Sequence, residues 1–434
     1  MSYQIFIHDE FDPEATAMLQ ALYSRSAESV ENHVHKVLAK GSKKFMESYY
    51  VGYGHASIGD CGTTTLFFEK VSILAAKAIQ DNPLYSGQET STRYIDFSSQ
   101  DLHDPLNSKK SYSILRNWIE FYLKASGPLK QFITERFPRT TNTNPATWEK
   151  AINARCFDIL RGFLPAGATT QLSWATNLRQ AYDKLTLLCY HPLAEVRAIA
   201  HTALQKLGHR YPASFSHGNA EVRDYYYATF RQSIHYGNAA LSPRDGDYLF
   251  VNNIDSHRLE SEQKDLLQSR PKGVQLPRFV SEYGRCRFRF LLDFGSFRDL
   301  QRHRNGLCRI PLVTDRYGFN QWYINQLPPS LQEEAVQFIS SQSQAISELG
   351  ASPEELQYYF PLGQNVCCEL VYDLPQIVYV IELRSSVTVH PTLRHVVHRM
   401  YQSICESLPM VKLYADLTPD NFCVRRGNQD IISK

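Results

Sequence analysis

One order of sequence features occurs twice in this chain, at offsets close to half of its 434 residues. Leu164-Pro165 and Phe360-Pro361 stand 196 residues apart, as do Asn177 and Asp373. His191-Pro192 opens a helical pattern closed by Pro212, and His390-Pro391 opens another closed by Pro409. A strand-like run beside a helix-like run precedes Asp81 (TTTLFFEKVSILAAKAIQ) and again precedes Arg302 (RCRFRFLLDFGSFRDLQ). Chance similarity between amphipathic elements explains one such pair; shared order and spacing point to a duplication. Two repeats are therefore expected, residues 1–215 and 216–434, divided within the Pro-, Ser-, Gly- and Asn-containing stretch PASFSHGNAEVRD.

The runs GQETSTRYIDF and TDRYGFNQWYI read as strands, and AVQFISSQSQAISEL reads as an amphipathic helix. An α+β architecture, a small mainly antiparallel sheet flanked by helices in each repeat, fits this pattern. The polar segment Leu241–Lys272 reads as an excursion within the second repeat, a lid or an ornament. With 43% hydrophobic and 12% aromatic residues the chain is globular. Its 46 basic and 44 acidic residues nearly cancel, so no overall field draws a nucleic acid, and local arginine clusters must carry any anion binding. Nine cysteines lack CxxC spacing and fit reduced thiols. The start MSYQIFIHDEFDPEA is acidic where a signal peptide is basic, and no window approaches a membrane span, so a soluble cytoplasmic protein is expected.

Arg302-His303-Arg304 follows a helical run. Two guanidiniums flanking a histidine suit a phosphate or an electron-rich ring, although a basic helix end also complements the C-terminal dipole. No HExxH or clustered His/Cys spacing suggests a metal, and His191 and His390, each before proline, suit turns. Gly52, Gly54 and Gly59 do not form a Rossmann fingerprint.

The Arg302-His303-Arg304 triplet and the run Glu89-Thr90-Ser91-Thr92-Arg93-Tyr94 together resemble the signature of the flavin-dependent thymidylate synthases, the ThyX family, where Arg-His-Arg precedes Ser-x-Arg by seven residues. Here the two parts fall in different repeats: after seven intervening residues Arg304 is followed by Leu312, and seven residues separate Ser91 from Asp81-Asn82-Pro83 before it. The likeness continues at Gly54-His55-Ala56-Ser57-Ile58-Gly59-Asp60 and from Arg161 through Leu164-Pro165 to Thr176-Asn177-Leu178-Arg179. The second repeat has Gln357 and Pro375 in place of Arg161 and Arg179, but keeps Leu383-Arg384 where the first has Leu187-Leu188. Asp183, Tyr379, Asp60 and Gln88 depart from the family pattern.

The resemblance implies two ThyX-like repeats forming an intrachain pseudo-dimer, with one composite site surviving. Its substrate set would be Glu89, Ser91, Thr92, Arg93, Arg161, Arg302 and Arg384. Within it, Arg302, Arg384 and Ser91 would be catalytic, and Arg93 and Arg161 would lie near the phosphate. His55, Ser57, Asn177, Arg179, Arg302, His303 and Arg304 would hold FAD. The implied reaction is reductive methylation of dUMP to dTMP, with methylenetetrahydrofolate and NADPH as co-substrates. The resemblance also fits a flavoenzyme acting on another pyrimidine nucleotide or a non-catalytic nucleotide-binding paralogue. A homodimer of two-repeat chains is expected, with no metal, membrane or nucleic acid.

Overall fold

The computed structural model describes residues 10–26, 28–43, 56–215, 221–242, 246–419, 422–424 and 426. The chain is α+β, with small antiparallel sheets among helices. It divides into two compact units. The first comprises Met1–Val71, Ala78–Glu89 and Gln171–His235; the second comprises Ser72–Lys77, Thr90–Thr170 and Tyr236–Lys434.

The first unit carries most of the two-stranded pair of β1 (Thr63–Ser72) and β2 (Thr169–Asn177). Asn177 ends β2 and caps the helix Leu178–Leu188, its side chain accepting a 2.8 Å bond from the Gln180 amide.

The second unit holds a four-stranded sheet in the order β3-β4-β6-β5, formed by Tyr248–Ile254, Gly284–Asp293, Leu307–Cys308 and Asn365–Asp373, numbered β3 to β6 in chain order. Its neighbours are all antiparallel, with Tyr248 opposite Phe290 and Asp293 opposite Asn365. Alternation explains the central strand: Cys286, Phe288, Phe290 and Leu292 are buried, while Arg285 and Arg287 face outward. Arg289 also pairs with Glu369 directly across the ladder. Trp118, Phe121, Phe163 and Phe338 form an aromatic core, with Phe121 and Phe338 stacked at 4.7 Å and the Trp118 indole donating to the Tyr359 carbonyl at 2.9 Å.

Elements recur at the spacing the sequence shows. β2 and the helix Leu178–Leu188 reappear as β6 and the helix Leu374–Arg384; the 3-10 turn Arg161–Phe163 reappears as Gln357–Tyr359. Each member lies 196 residues from its counterpart. The segments after these turns bond to one another within the second unit, across an antiparallel bridge between Pro165 and Pro361. The Ala166 amide donates to the Phe360 carbonyl and the Leu362 amide to the Leu164 carbonyl, each at 2.8 Å. Gly167 donates to Tyr358 and Gly363 to Gly162, also at 2.8 Å. Exchanging each residue for the one 196 positions away turns the first bond of each pair into the second. Gly162 is required at this seam because a Cβ there would lie 2.4 Å from the Tyr323 ring.

Three expectations need correction. The run 87–97 is not a strand: it forms one isolated bridge, at Glu89, after another at Ser86, then turns where the Ser91 hydroxyl accepts the Arg93 amide at 3.2 Å. The run 314–324 is instead a 3-10 turn, Asp315–Tyr317, followed by the helix Gln321–Asn325. Side-chain caps from Thr314 and Asn320 supply the backbone partners that a strand ladder would have supplied. Finally, Leu241–Lys272 is no ornament, since it contributes β3 and the helix Ser256–Ser269, whose Leu259 and Leu267 are buried. The expected helix over AVQFISSQSQAISEL is present in Pro329–Ser347, which covers all of that run but Glu348 and Leu349.

Candidate functional site

The last buried residue of β4, Asp293, ends the strand and starts the next helix. Its carboxylate caps the Ser296 amide at 2.8 Å and accepts hydroxyl bonds from Tyr323 (2.7 Å) and Thr392 (2.5 Å). The helix Phe294–Leu300 that follows places Asp299 on its final turn and Arg302-His303-Arg304 just beyond. Asp299 and Arg302, three residues apart, meet across the end of this helix.

Asp299 is the hub of the cluster. Arg302 approaches one carboxylate oxygen at 3.6 Å, and Arg161, from the 3-10 turn of the first half, approaches the other at 3.9 Å. Arg384 donates to the Asp299 carbonyl at 2.9 Å. Burial alone would raise the Asp299 pKa, but Arg302, Arg161, Arg384 and Arg93 outweigh it and hold the carboxyl well below the usual range. Arg384 also donates through Nε to His303 Nε2 at 2.8 Å. A guanidinium can only donate, so His303 accepts at Nε2 and is neutral. Burial and the neighbouring Arg384 push its pKa down to about 3.

Arg161 is buried and donates to Ser296 Oγ at 2.7 Å, while its Nε meets no acceptor among the described residues. Arg93 forks Asp158 at 2.7 and 3.1 Å and donates to the Thr388 carbonyl at 3.1 Å. The second fork on Asp158 comes from Arg426. His390 joins the Asp158 backbone to the hydroxyls around Asp293: Nε2 lies 3.1 Å from the Asp158 carbonyl, and Nδ1 lies near the Ser296 and Thr392 hydroxyls. His390 does precede a proline-initiated helix, but it also joins this buried network, which the turn reading did not foresee.

The second unit thus brings together Arg93 and Arg161 from the first half with Arg302, His303 and Arg384 from the second. Ser91 lies beside Arg93 and accepts its amide, Thr92 accepts from Arg298 at 3.3 Å, and Arg304 donates to the Arg302 carbonyl at 3.2 Å. Glu89, Ser57, Asn177 and Arg179 lie in the first unit. Glu89 accepts from Gln80 at 2.9 Å, Arg179 pairs with Asp60 at 2.6 Å, and Ser57 is exposed. His55 lies outside the described residues.

Sequence reasoning missed Asp158, Asp299, Ser296 and Arg426. A signal existed for the two carboxylates, each standing three residues before an arginine of the set, Arg161 and Arg302. Arg426, in a polar tail, carried none. At Gln357, the counterpart of Arg161, the arrangement is different. Its neutral amide is satisfied locally, donating to the Tyr236 hydroxyl at 2.9 Å and accepting the Val313 amide at 3.1 Å.

The guanidinium-rich cluster, with a buried donor of Arg161 left over, suits a polyanion such as a nucleotide phosphate or the diphosphate of FAD. Among the described residues no group of three His, Cys, Asp or Glu could hold a metal, and no helix is long and apolar enough to cross a membrane.

His303 makes a pH prediction. Its folded pKa is depressed, so between about pH 6.5 and 3 the unfolded chain binds a proton that the folded chain does not, and stability falls as pH falls through that window. In urea titrations, His303→Gln, which keeps an acceptor for Arg384, is expected to lose about 2 kcal/mol less than the wild type between pH 6.5 and 5. Parallel losses would exclude this assignment.

Residues 7–213 match the family model described as thymidylate synthase complementing protein. Over 426 residues the chain is 24% identical to a UPF0159 protein of Chlamydia pneumoniae, covering 85% of this chain and 80% of the relative. A UPF0159 protein of Thermoplasma acidophilum is 23% identical over 461 aligned positions, covering 89% and 91%. Both alignments extend well beyond the family-matched half.

Proposed function

We infer, from the match of residues 7–213 to the family model of thymidylate synthase complementing proteins and from the resemblance to the ThyX signature, that this chain reductively methylates dUMP to dTMP at one composite site. The observation that carries the reading is the meeting of Arg161 with Arg302 and Arg384 around Asp299. These are the complementary arginines of the family pattern, one from the first half and two from the second. The exchange of hydrogen bonds at Pro165 and Pro361 supports an intrachain pseudo-dimer of repeats 1–215 and 216–434, because a residue facing its own counterpart is the mark of a two-fold contact. Gln357, neutral and internally satisfied, supports loss of the second site.

In this reading Arg93 and Arg161 grip the phosphate, with Ser91 and Thr92 at the same segment. Arg384 lies toward the base, where a guanidinium stabilises the negative charge that develops on the ring. Its approach is fixed by the Asp299 carbonyl and by His303, so orientation is set before substrate arrives. Arg302, half exposed, and Arg304 would hold FAD with His303. When bound, FAD would supply the hydride, and methylenetetrahydrofolate the carbon. For His55, Ser57, Asn177 and Arg179 a flavin role rests on sequence likeness, as a substrate role does for Glu89.

The test is direct. Protein purified with its flavin is mixed with NADPH, methylenetetrahydrofolate and dUMP, and the nucleotide product is identified by mass. Formation of dTMP is expected. Methylation of a different pyrimidine monophosphate would reassign the substrate, and nucleotide binding without product would sink the catalytic reading.

A further inference from the structure

Arg426, the last described residue, lies beside the proposed phosphate arginines and is held by a buried ion pair. Its guanidinium forks Asp158 from one side while Arg93 forks it from the other. It also lies 5.4 Å from the centroid of the Tyr94 ring, next in sequence to Arg93. The tail is anchored on the way: Asp416 accepts the Val387 amide at 3.1 Å, and Phe422 stacks on Phe137 at 4.8 Å. Arg426 and Asp158 are both buried.

Arg93 with Asp158 alone is a neutral pair and attracts a phosphate dianion weakly. Were Arg93 to turn toward the phosphate, the Asp158 carboxylate would be left buried without a counter-charge. A second guanidinium already seated on Asp158 removes both obstacles: the trio carries one net positive charge, and the carboxylate stays neutralised when Arg93 shifts. We propose that Arg426 is a positioning residue for the nucleotide phosphate, delivered by the tail to hold Asp158 and free Arg93 for the ligand. This rests on the nucleotide-binding reading above.

The experiment measures equilibrium binding of dUMP and of deoxyuridine, which lacks the phosphate, to the full flavin-loaded chain and to Arg426→Ala, Arg426→Gln and Arg426→Lys. The neutral variants should lose at least about tenfold in dUMP affinity, the scale of one charge-assisted contact, with deoxyuridine affinity unchanged and Lys restoring part of the loss. Structural damage would instead weaken both ligands together, and that result would overturn the proposal. So would dUMP affinity unchanged by the neutral variants. A wild-type chain that binds neither ligand would sink the functional reading, and this inference with it.

Discussion

Arg302→Ala is expected to lower dTMP formation by about 10²- to 10³-fold, the loss typical of removing one preorganised donor from a reacting charge. The side chain is half exposed and its nearest ion-pair contact, to Asp299, is 3.6 Å, so the fold should survive the change. Asp299 would remain neutralised by Arg161 and Arg384. Leu312→Ala is the matched control, since Leu312 stands where the signature would place a serine in the copy proposed to have lost its site. Steady-state rates and melting temperatures for both variants separate the cases. Equal loss of turnover in the control, without loss of stability, would refute a single working site.

Asp158→Ala should produce the largest stability loss. The carboxylate is buried, and burial alone would raise its pKa, but Arg426 and Arg93 hold it well below the usual carboxylate range. Removing it leaves two largely buried guanidiniums facing each other with no anion between them, a change that costs about 3–5 kcal/mol. Urea unfolding at pH 7 measures it, and Asp158→Asn should recover only a small part because the amide offers one acceptor and no charge. The sign with pH follows from the depressed folded pKa. The contribution is complete above the unfolded value of about 3.9 and is lost as pH falls toward the folded one. A loss under about 1 kcal/mol at pH 7 would contradict this account.

Regular elements were legible in the sequence wherever local chemistry decides them. The apolar alternation of β4 and the capping aspartate that ends it are readable without a partner in view, and so is the 196-residue spacing that relates β2 to β6. The segments after Thr90 and Thr314 misled because Ser91, Thr314 and Asn320 spend their side chains on their own backbone, bending runs whose aromatic and β-branched content otherwise suits strands. β3 was hidden by the polar loops around it. The arginines of the site could be named from likeness; for Asp158 and Asp299 the sequence offers only their place three residues before Arg161 and Arg302, which does not name their distant partners. Asp158 and Arg426 meet across 268 residues of chain, and Asp299 acquires its meaning only when Arg161 arrives from another element. Tertiary closure, which no local pattern encodes, selects those partners.

The seam at Pro165 and Pro361 has a consequence for how such a protein behaves when scarce. Two separate subunits facing each other this way would fall apart on dilution, taking the shared cluster with them. Tethering replaces that second-order encounter with an intramolecular one at an effective concentration on the order of millimolar. Specific activity should therefore stay constant from micromolar to nanomolar protein. In the proposed pseudo-dimer each repeat would also be released from having to serve in both roles, since a change in one would no longer alter the other.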